Sequence, residues 1–279
     1  MGDAVSLRLY LGVAKLPRFG VSVSGDSVDL VERPRGGLSL IVADGPGNGA
    51  AAKRVSSMVV ARTAALIAEG VRDGAAARTA HDLLFASREG RVSCALTILS
   101  ADVAENALVV TRSGDAPAFA CQTDEAASGT RSTTRLAEDV VPLGFGRFSR
   151  PKVTILPLKA GSLLLAGSDG LLAPERFGEE KGLEDRLVGL VETSRAHRAR
   201  WLAGEVLEVV LDTTRRRPTD DVTVVALGVD DDESDLDSDE ERDARVWSPP
   251  NPEDRSRILT LELEMPLPGV YGSRRSGST

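Results

Sequence analysis

The chain has 279 residues, of which 42% are hydrophobic, 27% are charged and 4% are aromatic. This composition predicts a folded protein with an aliphatic core, and the length suits one large domain or two small ones. No apolar run approaches the ~18–20 residues of a membrane helix, and the N-terminus lacks a signal-peptide pattern. Cys94 and Cys121 are too few for a disulfide scaffold. We therefore expect a cytoplasmic protein with no membrane contact, in which both cysteines are small core residues.

The net charge of −8 is concentrated in one segment. Residues 230–245 contain ten acidic residues and two arginines, which is a local charge of −8. The rest of the chain is therefore neutral and has no basic stripe. Because phosphate neutralisation supplies most of the affinity of nucleic-acid-binding proteins, this distribution argues against a nucleic-acid partner.

In the first half of the chain, the spacing of the apolar residues changes from that of strands to that of helices at about Ala50. Residues 4–13 alternate apolar and polar side chains as a half-buried strand does, and 20–24 and 38–43 also look extended. From Ala50 to Gly70 the apolar residues have helical spacing, and 74–88 predicts a second helix.

The second half begins with extended segments and ends with helices and one strand. Two helices are predicted at about 183–193 and 197–213, before a last core strand at 223–227. Because strands and helices come in blocks, the order favours a layered α+β sandwich over a doubly wound parallel sheet. The extended segments of this half are 92–99, 107–112, 117–121, 152–158 and 163–166.

We divide the chain at residue 229. Residues 1–229 contain the predicted core elements, whereas 230–279 are first acidic, then rich in proline, and finally rich in Gly, Ser and Arg. That composition predicts a mostly disordered tail. Residues 257–263 are the exception, because they alternate well enough to form a strand that docks elsewhere.

Acidic residues occur where predicted strands begin or end. Asp44 and Asp169 each follow a buried strand and precede a glycine, Asp220 precedes the last strand, and Asp26 lies in an early turn. Asp-Gly is also an ordinary turn dipeptide, so each motif alone is compatible with a structural role. Carboxylates that converge at one sheet edge repel one another unless a cation lies between them, and all-oxygen ligands favour Mg²⁺ or Mn²⁺.

The motifs around these acids resemble those of the metal-dependent (PPM, type 2C) protein phosphatases, in the SpoIIE-like bacterial branch. They are, in chain order, Gly25-Asp26, VADGPGNG (42–49), VTRSGDAPAF (110–119), VPLGFG (141–146), GSLLLAGSDGL (161–171) and DDVTVVAL (220–227). Within the branch, the chain is most similar to the stand-alone feedback phosphatases of the stressosome, the RsbX-like members. The likeness covers about residues 18–229.

The resemblance implies a four-layer α/β/β/α sandwich, with two antiparallel sheets flanked by helices. It implies a serine/threonine phosphatase in which water activated by two Mn²⁺ or Mg²⁺ ions attacks the phosphorus. Asp44 would bridge the two ions, with the Gly45 carbonyl, Asp169 and Asp220 as further ligands. Asp26 would contact metal through water, and Asp221 is a weaker candidate.

Three positions depart from the family pattern. Pro46 stands where eukaryotic relatives have a histidine proposed as general acid, Asn48 replaces a common histidine, and Asp115 replaces the histidine of an AGH segment. None of these is a metal ligand in the resemblance, so we expect altered substrate contacts. The branch implies phosphorylated STAS-domain proteins of stressosome or anti-sigma-antagonist type as substrates.

Two other functions are compatible with parts of the sequence. A catalytically weak pseudophosphatase that binds a phosphoprotein would explain the three departures. The glycine run at 45–49 superficially resembles a dinucleotide-binding loop, although the third glycine of that motif would fall at Ala50. His81 and His197 lie on predicted helices without a carboxylate motif beside them, so we expect packing or surface roles for both.

Overall fold

The strands and helices follow the order that the sequence predicts, with two additional strands. The computed structural model describes residues 5–124, 130–138, 140–178, 181–231 and 257–272. The strands are β1 (Val5–Leu16), β2 (Ser27–Glu32), β3 (Gly37–Asp44), β4 (Ala95–Asp102), β5 (Ala107–Ser113), β6 (Ala118–Asp124), β7 (Thr130–Arg135), β8 (Lys152–Pro157), β9 (Ser162–Gly167), β10 (Val222–Asp231) and β11 (Leu259–Gly272). The helices are α1 (Gly49–Ala68), α2 (Asp73–Arg88), α3 (Ala173–Arg176), α4 (Leu183–Thr193) and α5 (Ala199–Thr213), with 3₁₀ turns at Asp169–Leu171 and Ala196–Arg198.

The strands form two sheets, one with the order β11-β1-β10-β9-β6-β7 and one with the order β2-β3-β4-β5-β8. Within the described residues, every pairing between these strands is antiparallel. A dinucleotide-binding fold needs parallel strands joined by crossover helices, so the glycine run at 45–49 does not lie in one.

Apolar side chains form three layers of core, which produce the predicted four-layer α/β/β/α sandwich. The middle layer lies between the sheets and includes Leu9, Leu40 and Leu164. One outer layer packs α4 and α5 against the six-stranded sheet, and the other packs α1 and α2 against the five-stranded sheet. Among the described helices, none is both long and apolar enough to cross a membrane.

Apart from the short helix α3, which the sequence analysis does not predict, the structure differs from the sequence-based elements at three places. Residues 20–24 are turns and bends, and the extended segment lies instead at β2, just after Asp26. β7 was not predicted, because its residues, TRSTTR, have no apolar face.

The third difference is in the tail. β11 extends the anticipated strand at 257–263 to Gly272 and pairs with β1. Residues 259–272 thus belong to the sandwich, whereas 232–256 and 273–279 lie outside the described residues.

Candidate active site

The ends of both sheets bring four of the predicted acidic residues to one region. Asp44 ends β3 of the five-stranded sheet, and Asp169 begins the 3₁₀ turn after β9 of the six-stranded sheet. The backbone N–H of Asp169 donates a hydrogen bond to Asp44 Oδ2 at 3.3 Å, which joins the two sheets. Asp26 is 1% exposed, and its Oδ2 accepts a hydrogen bond from Thr223 Oγ1 at 2.5 Å. Asp220 lies just before β10 and interacts electrostatically with both Asp169 and Asp26.

Gly45 allows the turn after Asp44 to pack tightly. A Cβ atom at Gly45 would lie 2.4 Å from the Ala52 carbonyl oxygen and 3.0 Å from that of Gly25. Both contacts are with backbone atoms, so a side chain would force the turn away from α1. Glycine therefore fixes the position of the Asp44 carboxylate against the first turn of that helix.

The acidic residues strongly perturb one another. Burial, followed by the charges of Asp26 and Asp169, raises the pKa of Asp44 to about 10. Burial also raises the pKa of Asp26. Burial and then the charge of Asp169 raise the pKa of Asp220 to about 6. These shifts reflect the free energy required to place several negatively charged carboxylates close together and away from water. A divalent cation between the carboxylates would remove that unfavourable free energy.

The side chains at this site fit a divalent metal ion. Asp26 Oδ1 is buried and accepts no hydrogen bond from a described residue. It is therefore available to a metal ion or a metal-bound water. In the described part of the chain, no three His, Cys, Asp or Glu side chains are placed so that they could hold a metal ion as they stand. Asp220 Oδ1 accepts a hydrogen bond from the Asp221 N–H at 2.8 Å, and the charges of Asp169 and Asp26 act on this carboxylate.

Asp221 supports the backbone. Its Oδ1 accepts a hydrogen bond from the Arg18 N–H at 2.8 Å, and its Oδ2 accepts one from the Gly25 N–H at 2.6 Å. These contacts hold the loop that carries Asp26 against the turn before β10. Asp221 is therefore a positioning residue in this structure. In the sequence analysis it is a weaker metal-ligand candidate than the other acidic residues.

Two lysines that the sequence does not single out hold the backbone of Asp26. Lys15 Nζ donates to the Asp26 carbonyl oxygen at 2.5 Å, and Lys53 Nζ donates to the same oxygen at 2.8 Å. Burial, and secondly the charge of Lys53, lowers the pKa of Lys15 to about 8. Both ammonium groups therefore lie at the Asp26 backbone, and that of Lys15 interacts electrostatically with the carboxylates of Asp26 and Asp221.

Arg176 contacts both Asp115, which stands where the family motif has a histidine, and Asp169 of the acidic cluster. Its Nη2 donates to Asp115 Oδ2 at 2.9 Å, and its Nη1 lies 3.7 Å from Asp169 Oδ2. The Arg176 side chain is 38% exposed, so it can also meet a molecule that arrives from solvent. No motif in the sequence identifies this arginine, which lies seven residues after Asp169.

The sequence profile of the Stage II sporulation protein E (SpoIIE) family matches residues 34–230. The chain belongs to the SpoIIE family. It is 25% identical over 231 residues to Stage II sporulation protein E of Bacillus subtilis, which covers 82% of this chain and 27% of that protein. The corresponding protein of Priestia megaterium is 24% identical over 215 residues, covering 77% of this chain and 35% of that protein. The chain thus spans about a third or less of these relatives.

Solved structures share the same fold. The PP2C phosphatase domain of SpoIIE from Bacillus subtilis, solved with a fragment of its regulatory domain, has a TM-score of 0.67 and 23% identity, covering 81% of this chain and 65% of that one. RsbX in complex with magnesium has a TM-score of 0.60 and 17% identity, covering 80% and 96%. The catalytic domain of the phosphatase PstP in complex with two manganese ions has a TM-score of 0.60 and 21% identity, covering 81% and 100%. The SpoIIE-family chain therefore has the PP2C-type phosphatase sandwich that its motifs predict.

Proposed function

We propose that this chain is a metal-dependent phosphoprotein phosphatase that hydrolyses phosphoserine or phosphothreonine. The observation that carries the proposal is the meeting of Asp44, Asp26 and Asp169 at the ends of both sheets, where burial, and then the charges of the other two carboxylates, raise the pKa of Asp44 to about 10. Membership of the SpoIIE family and the fold shared with PstP and RsbX support it.

The chain's own residues would position the ions, the water and the phosphoryl group. Asp44, Asp169, Asp220 and the Gly45 carbonyl would hold two Mn²⁺ or Mg²⁺ ions, and Asp26 would orient a metal-bound water. When bound, such ions would lower the pKa of a water molecule and would neutralise charge on the phosphoryl oxygens.

Arg176 is placed to hold the substrate. Its guanidinium lies beside Asp169, is partly exposed and matches the geometry of phosphoryl oxygens. Asp115 fixes one edge of that guanidinium and leaves another facing the site. We therefore assign Arg176 to orienting the phosphoryl group.

We extend the proposal to phosphorylated STAS-domain regulators of a bacterial stress-response pathway. The structural neighbours include RsbX and a protein of the bacterial stressosome, described as a modular system adapted to control secondary messenger signalling. A cytoplasmic location belongs to the same proposal and agrees with two buried free cysteines, Cys94 and Cys121.

A phosphoserine peptide tests the activity. We expect the chain to release inorganic phosphate with Mn²⁺ or Mg²⁺ and to release none with EDTA. Asp169→Asn should lower the rate at least a hundredfold, whereas Asp29→Asn, the same change at an exposed aspartate on β2, should leave it unchanged. Equal rates for the two variants would contradict the proposal.

The departures at Pro46, Asn48 and Asp115 favour a second candidate, a pseudophosphatase that binds a phosphoprotein without turnover. This alternative predicts that a phosphorylated STAS-domain protein binds equally well to the native chain and to Asp44→Asn, and that no metal produces phosphate. Measured turnover would exclude it.

A further inference from the structure

A cavity lies between α2 and the loop that follows residue 140, and none of the acidic residues of the candidate active site lines it. It has a volume of about 520 Å³, and its lining includes His81 and Phe85 from α2 together with Phe148 and Ser149 from the loop. The His81 and Phe85 rings are stacked, with centroids 6.0 Å apart. The proposed phosphatase reaction uses none of these side chains.

His81 lines this cavity and has a buried ring nitrogen without a hydrogen-bond partner among the described residues. The Gly144 N–H donates to His81 Nδ1 at 3.0 Å, so Nδ1 is the acceptor and the proton of the neutral ring is on Nε2. His81 is 1% exposed, and its Nε2 has no hydrogen-bond partner among the described residues. A buried N–H without an acceptor is costly, so this geometry favours a ligand that accepts hydrogen bonds.

The loop geometry that produces this bond depends on glycine. Gly144 has a φ of +76°, and a Cβ there would lie 2.4 Å from the Val92 carbonyl oxygen. Glycine therefore permits the loop conformation in which the Gly144 N–H occupies His81 Nδ1, while Nε2 has no partner among the described residues.

The remaining polar lining also favours an anion. Ser149 is 8% exposed, and its Oγ is a second buried group with no partner among the described residues. The exposed guanidinium groups of Arg78 and Arg147 also line the cavity, and Asp82 contributes one negative charge. Two arginines against one carboxylate leave the lining net positive.

The loop that contributes to the cavity is connected through β4 to the strand that ends at Asp44. Asp44 is opposite Ala95 in the sheet, and Cys94 pairs with Leu143 through hydrogen bonds of 3.0 and 2.9 Å. Gly144 is therefore about two strand spacings, roughly 10 Å, from the backbone of Asp44.

We propose that this cavity is an oxyanion-binding site that takes a phosphate or phosphoryl group. His81 Nε2–H and Ser149 Oγ–H would donate to its oxygens, and Arg78 and Arg147 would supply charge-assisted hydrogen bonds. The exposed ring of Phe148, stacked with Arg147 at 5.9 Å, would cover the bound group. The site is separate from the metal-binding carboxylates and does not depend on turnover.

Binding of inorganic phosphate to the full chain tests the proposal. Nuclear magnetic resonance in EDTA excludes phosphate bound through a metal ion. We expect millimolar phosphate to shift the signals of the His81 ring and the Gly144 amide.

The arginine variants make that test specific. Replacing both arginines, as Arg78→Ala with Arg147→Ala, should weaken binding roughly tenfold or more, whereas Arg62→Ala, an exposed arginine on α1, should not. Absence of the shifts, which would mean that water fills the cavity, or equal weakening by Arg62→Ala would overturn the proposal. The readout is binding, so its failure is distinguishable from a failure of the phosphatase assignment.

A phosphoserine peptide, also added in EDTA, identifies the source of the oxyanion. If the site binds a phosphorylated protein, the peptide should bind more tightly than inorganic phosphate and should lose that advantage in Phe148→Ala. Equal affinity for the two, unchanged by Phe148→Ala, would assign the site to free phosphate.

Discussion

The Thr223 hydroxyl holds the buried Asp26 carboxylate, and its removal should weaken metal binding. Thr223→Val keeps the shape of the side chain but leaves Asp26 Oδ2 without this donor. Outer-sphere hydrogen bonds of this kind change metal affinity by roughly 10–100-fold. We therefore expect the Mn²⁺ concentration for half-maximal activity to rise by about that factor.

Thr223→Ser retains the hydroxyl and is the matched control for this prediction. It should behave like the native chain in the same Mn²⁺ titration. An unchanged Mn²⁺ requirement in Thr223→Val would show that the hydrogen bond to Asp26 does not support the metal site.

The raised pKa values of Asp44 and Asp220 predict how stability depends on pH without metal. Between the unfolded value near 3.8 and the folded values of about 10 and about 6, the native state binds more protons than the unfolded state. Stability should therefore fall as the pH rises through this window. In EDTA, we expect the melting temperature to drop by several degrees between pH 5 and pH 8, with a smaller drop in Asp44→Asn.

Saturating Mn²⁺ should reduce that pH dependence, because the ions neutralise the carboxylates. Calorimetry with EDTA and with Mn²⁺ compares the two conditions directly. The electrostatic account of the site would be contradicted if the melting temperature in EDTA rose with pH and if this change were equal in the native chain and in Asp44→Asn.

Motifs reveal the acidic residues of the site, but not the residues that support them. Asp44 and Asp169 stand in Asp-Gly turns, so a single sequence is enough to nominate them. Lys15, Lys53 and Arg176 have no motif, and their partners are distant in sequence or on another element. Long-range contacts of this kind depend on how the two sheets pack.

At the scale of the elements, β11 completes the six-stranded sheet and should contribute to stability through its buried end. Leu267 is fully buried opposite Leu7, whereas Leu259, on the same strand, is 64% exposed. Leu267→Ala should lower the free energy of unfolding by about 2–5 kcal/mol, because it leaves a cavity between the sheets.

Leu259→Ala is the matched control on the same strand, with an expected change within about 0.5 kcal/mol. Urea denaturation monitored by circular dichroism measures both variants. Similar small changes in the two variants would show that β11 does not stabilise the sandwich.

Strong hydrophobic periodicity explains which elements can be predicted. α1, α2 and β3 each have a long apolar pattern, and their bounds agree with the sequence to within two residues. β7 has no buried residue, since it lies at a sheet edge, and its pattern resembles that of a loop. Segment 20–24 alternates like a strand, yet its backbone is held in turns by the Asp221 contacts to Arg18 and Gly25.

At the scale of the whole molecule, the acidic stretch 230–245 carries the net charge of the chain. We expect it to promote solubility rather than to control turnover. Replacing the Asp and Glu residues of 232–241 by Asn and Gln should leave kcat and KM within about twofold and lower the solubility near neutral pH. Markedly higher activity of this variant at low salt would instead show that the stretch is inhibitory.

Hydrolysis of p-nitrophenyl phosphate by the full chain is the most direct measurement of the central claim, that acidic residues from both sheets form a two-metal hydrolytic centre. The account predicts activity with Mn²⁺, loss of activity with EDTA, and at least a hundredfold lower rate in Asp44→Asn than in Asp29→Asn. No activity with any divalent ion, together with no metal binding by calorimetry, would contradict the account and leave the acidic turns with a purely structural role.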